Sequence, residues 1–203
     1  MTIVRVQIPY LPERIGMLTR VMLAYRAQSF GGQHLQCVSV KGYTWGEGQN
    51  QLLARLDDEG AARPDYVLTG NDDCIPHPGA IQAAIRFHVE TGDLPACRFL
   101  QDGQPLDPSY DARPHGAPTP WMRMFFAPPE VFERVGPLLD LTWYTDIDYC
   151  QRLVEHGYRM SLCDGFTFDH LDSPRTWAEN GEALRQHGVY REACAAAGRS
   201  PLA

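Results

Sequence analysis

The sequence predicts an α/β fold in which a mostly parallel sheet is covered by helices on both faces. Three observations carry this expectation. Short β-branched runs alternate with longer segments whose apolar residues recur at helical spacing. Glycine and proline punctuate the boundaries between them. One apolar run, Tyr66–Thr69, leads directly into the adjacent pair Asp72 and Asp73, at the strand end where open α/β sheets gather ligands. A chain of 203 residues, 44% of them hydrophobic, suits one substantial core, so a single domain is expected over residues 1–203.

Taken in order, IVRVQI (3–8) alternates β-branched residues and ends at Pro9, which predicts a first strand followed by the loop PYLPER. IGMLTRVMLAYRAQ (15–28) has helical spacing, and HLQCVSV (34–40) predicts a second strand closed by the turn-rich KGYTWGEG. A helix is expected from Asn50 to about Glu59, a third strand at Tyr66–Thr69, and a helix at 81–92 with Gly92 as its stop. Residues 101–120 contain five prolines and almost no apolar periodicity, the pattern of a functional loop, a mobile lid or a plain insertion. WMRMFFA (121–127) predicts a strand, and 128–139 a helix with proline in its first turn. The spacing over 146–159 predicts a helix with Ile147, Cys150 and Val154 on one face and Gly157 as terminator. A short strand (159–163), an extended segment (165–173) and a C-terminal helical region (179–198), interrupted or bent near Gly188, complete the chain.

The formal net charge of -7 argues against a general polyanion binder, because affinity for nucleic acids rests on neutralising phosphates with Lys and Arg. Six cysteines without a CxxC pair fit buried, reduced thiols rather than a disulfide framework or a zinc site. No stretch approaches the roughly 20 apolar residues of a spanning helix, and the N-terminus lacks a signal-peptide pattern. These observations predict a soluble, cytoplasmic protein with no integral membrane segment.

Three places carry chemistry. Adjacent buried aspartates repel each other and need a positive partner or a shared proton, and two hard oxygen ligands at a strand end suit Mg²⁺ or Mn²⁺ held jointly with a diphosphate. An Asp-rich turn before Pro76 is the plainer explanation. In TDIDYCQRL, Asp146 and Asp148 point in different directions from a helix start; Asp148 lies four residues before Arg152 and suits a structural pairing, which leaves Asp146 as the candidate general base. In FTFDHLDS, His170 is flanked by Asp169 and Asp172 and is either a structural histidine or a ligand for a borderline metal.

In this order the segments PYLPER, LTGNDDCIPHPGAI, MFFAPPEVFERVGPLLDLTWYTDIDYCQRLVEHGYR and DHLDS resemble the inverting, nucleotide-sugar-dependent glycosyltransferases of family 2, with the GT-A fold, including small viral-type members. The resemblance spans residues 3–173. It implies a nucleotide-binding half at about 1–100, a mobile loop at about 101–120 and an acceptor and catalytic half at about 121–203. It implies Asn71, Asp72 and Asp73 as the Asp-X-Asp triplet, with Asp73 on Mn²⁺ or Mg²⁺ and Asp72 near the ribose or metal. Asp146 becomes the acceptor base, His170 a further metal or diphosphate contact, and Pro9, Tyr10 and Arg14 the lining of the nucleotide pocket. The partners implied are a nucleotide-sugar donor and a hydroxyl-bearing acceptor: a glycan, a protein, a lipid-linked sugar or a modified DNA base. The sequence departs from the family pattern at Asn71, which replaces an acidic residue, and at Thr145, where the family usually carries Glu. The second strand also lacks the acidic residue that reads the base. Trp121, Trp143 and Tyr144 are candidates for stacking on sugars or for plain packing. A nucleotidyltransferase of similar architecture and a non-catalytic nucleotide-sugar-binding module are the competing functions, although PYLPERIG is a poor match to a glycine-rich phosphate loop.

Overall fold

The structure is a computed structural model that describes residues 2–28, 33–41, 44–56, 62–106, 124–142, 144–171 and 180–201. Trp121, Trp143 and most of the expected 101–120 loop lie outside the described residues.

Eight strands and six helices are described, in the order β1 (Thr2–Tyr10), α1 (Ile15–Arg26), β2 (Gln33–Lys41), α2 (Trp45–Leu53), β3 (Tyr66–Thr69), β4 (Cys74–Pro76), α3 (Ala80–Thr91), β5 (Leu94–Gln101), β6 (Gln104–Pro105), β7 (Phe126–Ala127), α4 (Pro129–Val135), α5 (Thr145–Glu155), β8 (Met160–His170) and α6 (Asn180–Ala196). A 3-10 turn, Pro12–Arg14, joins β1 to α1. The fold class is the one expected, but the strands form two sheets rather than one. The first has the order β2-β1-β3-β7, parallel except for β7; the second has the order β4-β8-β5-β6, in which only β5 and β8 run parallel.

One core joins the two sheets. Val4, Val6 and Ile8 from β1 and Leu68 from β3 meet Phe99, Phe166 and Phe168 from the second sheet and Leu18, Val21 and Tyr25 from α1. Alternate residues of β1 face the other way: Arg5 donates to the Arg55 carbonyl at 2.8 Å, and Pro9 lies beneath Gly48 of α2. This period of two fixes which side of the strand looks into the core. A second cluster packs Val67 and Phe125 against Tyr149 and Leu153 of α5 and Phe132 of α4.

Several boundaries depart from expectation for visible reasons. Helix α2 begins at Trp45 rather than Asn50, because the Thr44 hydroxyl caps it by accepting from the Glu47 amide at 3.0 Å. Two glycines disguise that helix in the sequence, yet a Cβ on Gly46 would lie 1.8 Å from the Leu139 carbonyl oxygen, so close backbone approach demands a residue without a side chain. The predicted strand at 121–127 is confined to Phe126–Ala127 among the described residues. The predicted short strand at 159–163 and the described part of the extended segment at 165–173 join in one strand, β8 (Met160–His170), whose pairing with β5 shifts between Ala96 and Arg98, next to Gly165 with φ 88°. On α5, Val154 is exposed and the buried face runs through Asp148, Tyr149, Cys150 and Leu153, because Tyr149 fills the second core. Helix α6 runs through Gly188 without a break.

Candidate active site

β3 delivers the aspartates. Its last residues are wholly buried, and Gly70 then donates to the Gln7 carbonyl at 2.7 Å, close enough that a Cβ would press on Ile8 and on that same oxygen. The chain turns through Asn71, Asp72 and Asp73 and enters β4. There the antiparallel register pairs Cys74 with His170 of β8, and the Leu171 amide donates to the Asp73 carbonyl at 2.7 Å. Residues almost a hundred positions apart are thereby set side by side: His170 Nε2 lies 3.8 Å from Asp73 Oδ2. The bulge beside Gly165 sets the alternation of β8, so that Phe166, Phe168 and His170 share one side of the strand. Phe99 meets the His170 ring edge to face.

Asp72 and Asp73 are both buried, and their positive partner is Arg14. One guanidinium nitrogen, Nη2, lies 3.1 Å from Asp72 Oδ1 and 2.7 Å from Asp73 Oδ2. Spacing could not reveal which cation fills that role, since Arg14 sits 59 residues away on the 3-10 turn after β1. Sequence reasoning also overlooked the Cys74 thiol, which donates to Asp73 Oδ1 at 3.3 Å. Burial, reinforced by the charge of Asp73, pushes that thiol well above its ordinary value, so it stays protonated at neutral pH.

Asp73, Cys74 and His170 form a group of the kind that holds a metal, with donor atoms all within 4.8 Å of one another. The neutral thiol is a poor ligand, because thiolate is the coordinating form. A carboxylate oxygen and an imidazole nitrogen remain. Their separation is too long for a hydrogen bond, and one ion with bonds of about 2.1 Å can touch both. A carboxylate oxygen beside an imidazole nitrogen suits a divalent cation that accepts mixed ligands. The Oδ1 atom of Asn71 and the Nδ1 atom of His170 are buried with no hydrogen-bond partner among the described residues, which leaves polar capacity at the site for a bound group.

The remaining expected residues take varied positions. Pro9 is buried against Gly48, and Tyr10 is partly buried against the main core. Asp146 occupies the first turn of α5 and is partly buried. A chain of contacts ties the start of this helix to the strand end: Thr145 donates to the Leu141 carbonyl at 2.8 Å, Gly46 donates to Leu141 at 2.9 Å, and the Trp45 indole donates to Gly70 at 3.3 Å. Tyr144, just ahead of the helix, has φ 68° and stacks on Tyr190 and His187 of α6, so its ring serves packing. Asp148 is fully buried between Arg152 and Arg199, each 2.8 Å away, the structural role its spacing suggested. Beside His170, a cavity of about 290 Å³ opens between Asp169, Leu171 and the β5–β6 turn at Gln101, Asp102 and Gly103.

None of the six cysteines is in a disulfide, and no helix among the described residues is long and apolar enough to cross a membrane.

No protein-family model matches this sequence, and no curated protein matches it. Solved structures do match in shape. A mannosyltransferase, PcManGT from Pyrobaculum calidifontis, in complex with GDP-Man and Mn²⁺, superposes with a TM-score of 0.70 at 14% identity over 98% of this chain and 65% of its own. GalNAc-T7 with UDP, GalNAc and Mn²⁺ gives 0.65 at 8% identity over 94% of this chain and 48% of its own. Residues 1–349 of S. aureus TarS in complex with UDP give 0.62 at 14% identity over 94% of this chain and 65% of its own. The chain therefore spans about half to two thirds of the length of the structures it matches. At these identities the likeness concerns the fold, and the fold is the α/β architecture of the GT-A glycosyltransferases.

Proposed function

We propose that this protein is a metal-dependent glycosyltransferase, hexosyl or pentosyl, that moves a monosaccharide from a nucleotide-sugar donor to an acceptor hydroxyl with inversion. One observation carries the reading: the β4–β8 register sets His170 against Asp73 at the end of β3, with Arg14 and Asp72 in direct contact. Complexes of similarly folded proteins with GDP-Man and Mn²⁺, and with UDP, GalNAc and Mn²⁺, support the choice of donor and metal classes.

In this reading Asp73 and His170 hold Mn²⁺ or Mg²⁺, and Pro9, Tyr10, Arg14, Asn71 and Asp72 face the nucleotide side. A bound ion would neutralise the donor diphosphate and the charge that grows on the leaving nucleotide. Asp146 accepts the proton from the acceptor hydroxyl. The acceptor oxygen forms its bond to the anomeric carbon from the face opposite the departing phosphate oxygen, so the configuration inverts. The single displacement needs one base, unlike the two-carboxylate scheme of glycoside hydrolysis. The acceptor is a glycan, a protein, a lipid-linked sugar or a modified DNA base. The same reading treats residues 1–203 as one GT-A domain and places it in the cytoplasm, in keeping with six cysteines outside any disulfide.

A non-catalytic nucleotide-sugar-binding module is the second reading. It is favoured by Thr145, which is fully buried and spends its hydroxyl on the Leu139 and Leu141 carbonyls where the resembled family usually carries an acid. Titration calorimetry with GDP-mannose and UDP-sugars in the presence of Mn²⁺, followed by release of nucleotide, separates the two. The enzyme reading expects binding and turnover that chelation by EDTA abolishes; binding without transfer or hydrolysis selects the module.

A further inference from the structure

We propose that Arg14 and a divalent cation are alternative counter-ions of Asp73, so that Arg14 sets the metal affinity of the site and couples metal uptake to an anionic donor. The inference rests on the reading of Asp73 and His170 as metal ligands, and it concerns what the chain itself places there first.

The two oxygens of Asp73 are both engaged. Oδ1 accepts from the Cys74 thiol at 3.3 Å, and Oδ2 lies 2.7 Å from Arg14 Nη2. The oxygen that faces His170 Nε2 at 3.8 Å is therefore the same oxygen that Arg14 holds. A cation that joins Asp73 to His170 must bind beside the guanidinium, and two positive centres on one carboxylate oxygen repel each other strongly in a site this buried. Arg14 has somewhere else to go. Its Nη2 already reaches Asp72 at 3.1 Å, its Nε is buried with no hydrogen-bond partner among the described residues, and a guanidinium offers several N–H donors in a plane suited to phosphate. The 3-10 turn Pro12–Arg14 that carries it has no buried residue.

Two consequences follow from charge alone. Without metal, Arg14 relieves the repulsion between two adjacent buried carboxylates and keeps the site folded. With metal alone, Asp73 must leave Arg14 for the ion, which weakens binding. A diphosphate offers Arg14 a replacement anion, so metal and donor bind cooperatively, and the site discriminates against free metal.

The test uses the full chain and manganese chloride, with bound ion read by the loss of the free Mn²⁺ signal in electron paramagnetic resonance and by calorimetry, first alone and then with GDP or UDP. Arg14→Gln is expected to bind Mn²⁺ alone about tenfold more tightly than the unmodified protein, within the usual range of coupling between sites, and to lose most of the enhancement by nucleotide. Arg14→Met, which keeps the aliphatic stem, should do the same and serves if the first variant fails to fold. Arg14→Lys keeps the charge and should stay within about threefold of the unmodified protein, well below the coupling expected of the neutral variants. The metal-free Gln variant should melt lower and gain more from Mn²⁺ than the unmodified protein does. If the unmodified protein binds Mn²⁺ and both neutral variants bind it equally or more weakly, the counter-ion role is overturned while the metal site stands. If none of them binds Mn²⁺, with or without nucleotide, both fall.

Discussion

Asp148→Asn tests the link between the C-terminal segment and the helix that carries Asp146. The substitution keeps the shape of the side chain and removes one charge. The Asp148 carboxylate is fully buried, with Arg152 and Arg199 each at 2.8 Å, and Arg199 is further drawn to Glu155 at 3.9 Å. Burial disfavours the charged form of Arg199, and hydrogen bonding and charge from Asp148 outweigh it and raise the pKa; a guanidinium is basic enough to stay charged even when that partner is lost. Two guanidiniums, with side chains only 16% and 11% exposed, would then face a neutral amide. Breaking a buried pair by removing one member costs about 3–5 kcal/mol. Arg152 retains its bonds to the Val135 and Pro137 carbonyls and its place over the Tyr149 ring, which favours the lower end of that range. At about 2–4 °C per kcal/mol for a chain of this size, the melting temperature should fall by about 6–12 °C. Circular dichroism melting provides the assay, and Arg199→Met added to Asp148→Asn should recover part of the loss, because it removes one of the stranded charges. A shift under about 2 °C for the single variant would refute the reasoning, since it would show that the buried carboxylate contributes almost nothing.

Three further outcomes are expected. Gly46→Ala places a methyl 1.8 Å from the Leu139 carbonyl oxygen and should destabilise by about 3 kcal/mol or more, read as a lower urea midpoint at unchanged slope. Asp146→Asn should retain donor binding by calorimetry and lower sugar transfer by about 100-fold or more; transfer at the unmodified rate would remove Asp146 from the base role. Stability should fall as pH rises past the ordinary thiol value of 9.0, because burial pushes the Cys163 thiol up to about 11 and also raises Cys74 and Cys37. The sign follows from proton binding: the folded state keeps protons that the unfolded chain releases, so this stabilisation is whole below pH 9 and declines above it. Urea titrations at pH 8 and pH 10 measure the difference, and equal midpoints would contradict it.

Local pattern was enough to name most elements and to single out three candidate sites. Strand β3 was legible as an apolar run ended by polar residues, α3 by its period and its Gly92 stop, and Asp148 by its spacing from Arg152. Each of these is decided by residues within a few positions of one another. Helix α2 was misjudged because Gly46 and Gly48 look like breakers, whereas their purpose is contact with Leu139 and Pro9, which lie elsewhere in the chain. Val154 was assigned to the wrong face of α5 because periodicity reveals a stripe without saying what covers it.

The candidate site divides along the same line. Residue types and their order suggested that Asp73 and His170 belong together, but their approach depends on a strand register and a bulge in β8, and pairing between distant strands leaves no mark at either position. The choice of Arg14 as the counter-ion of both aspartates is less legible still. Charge complementarity requires that some cation sit there, and the chain contains 18 lysines and arginines that could supply it. Which one arrives depends on where a 3-10 turn at the end of β1 falls once β1 and β3 are paired, and that is a property of the assembled sheet.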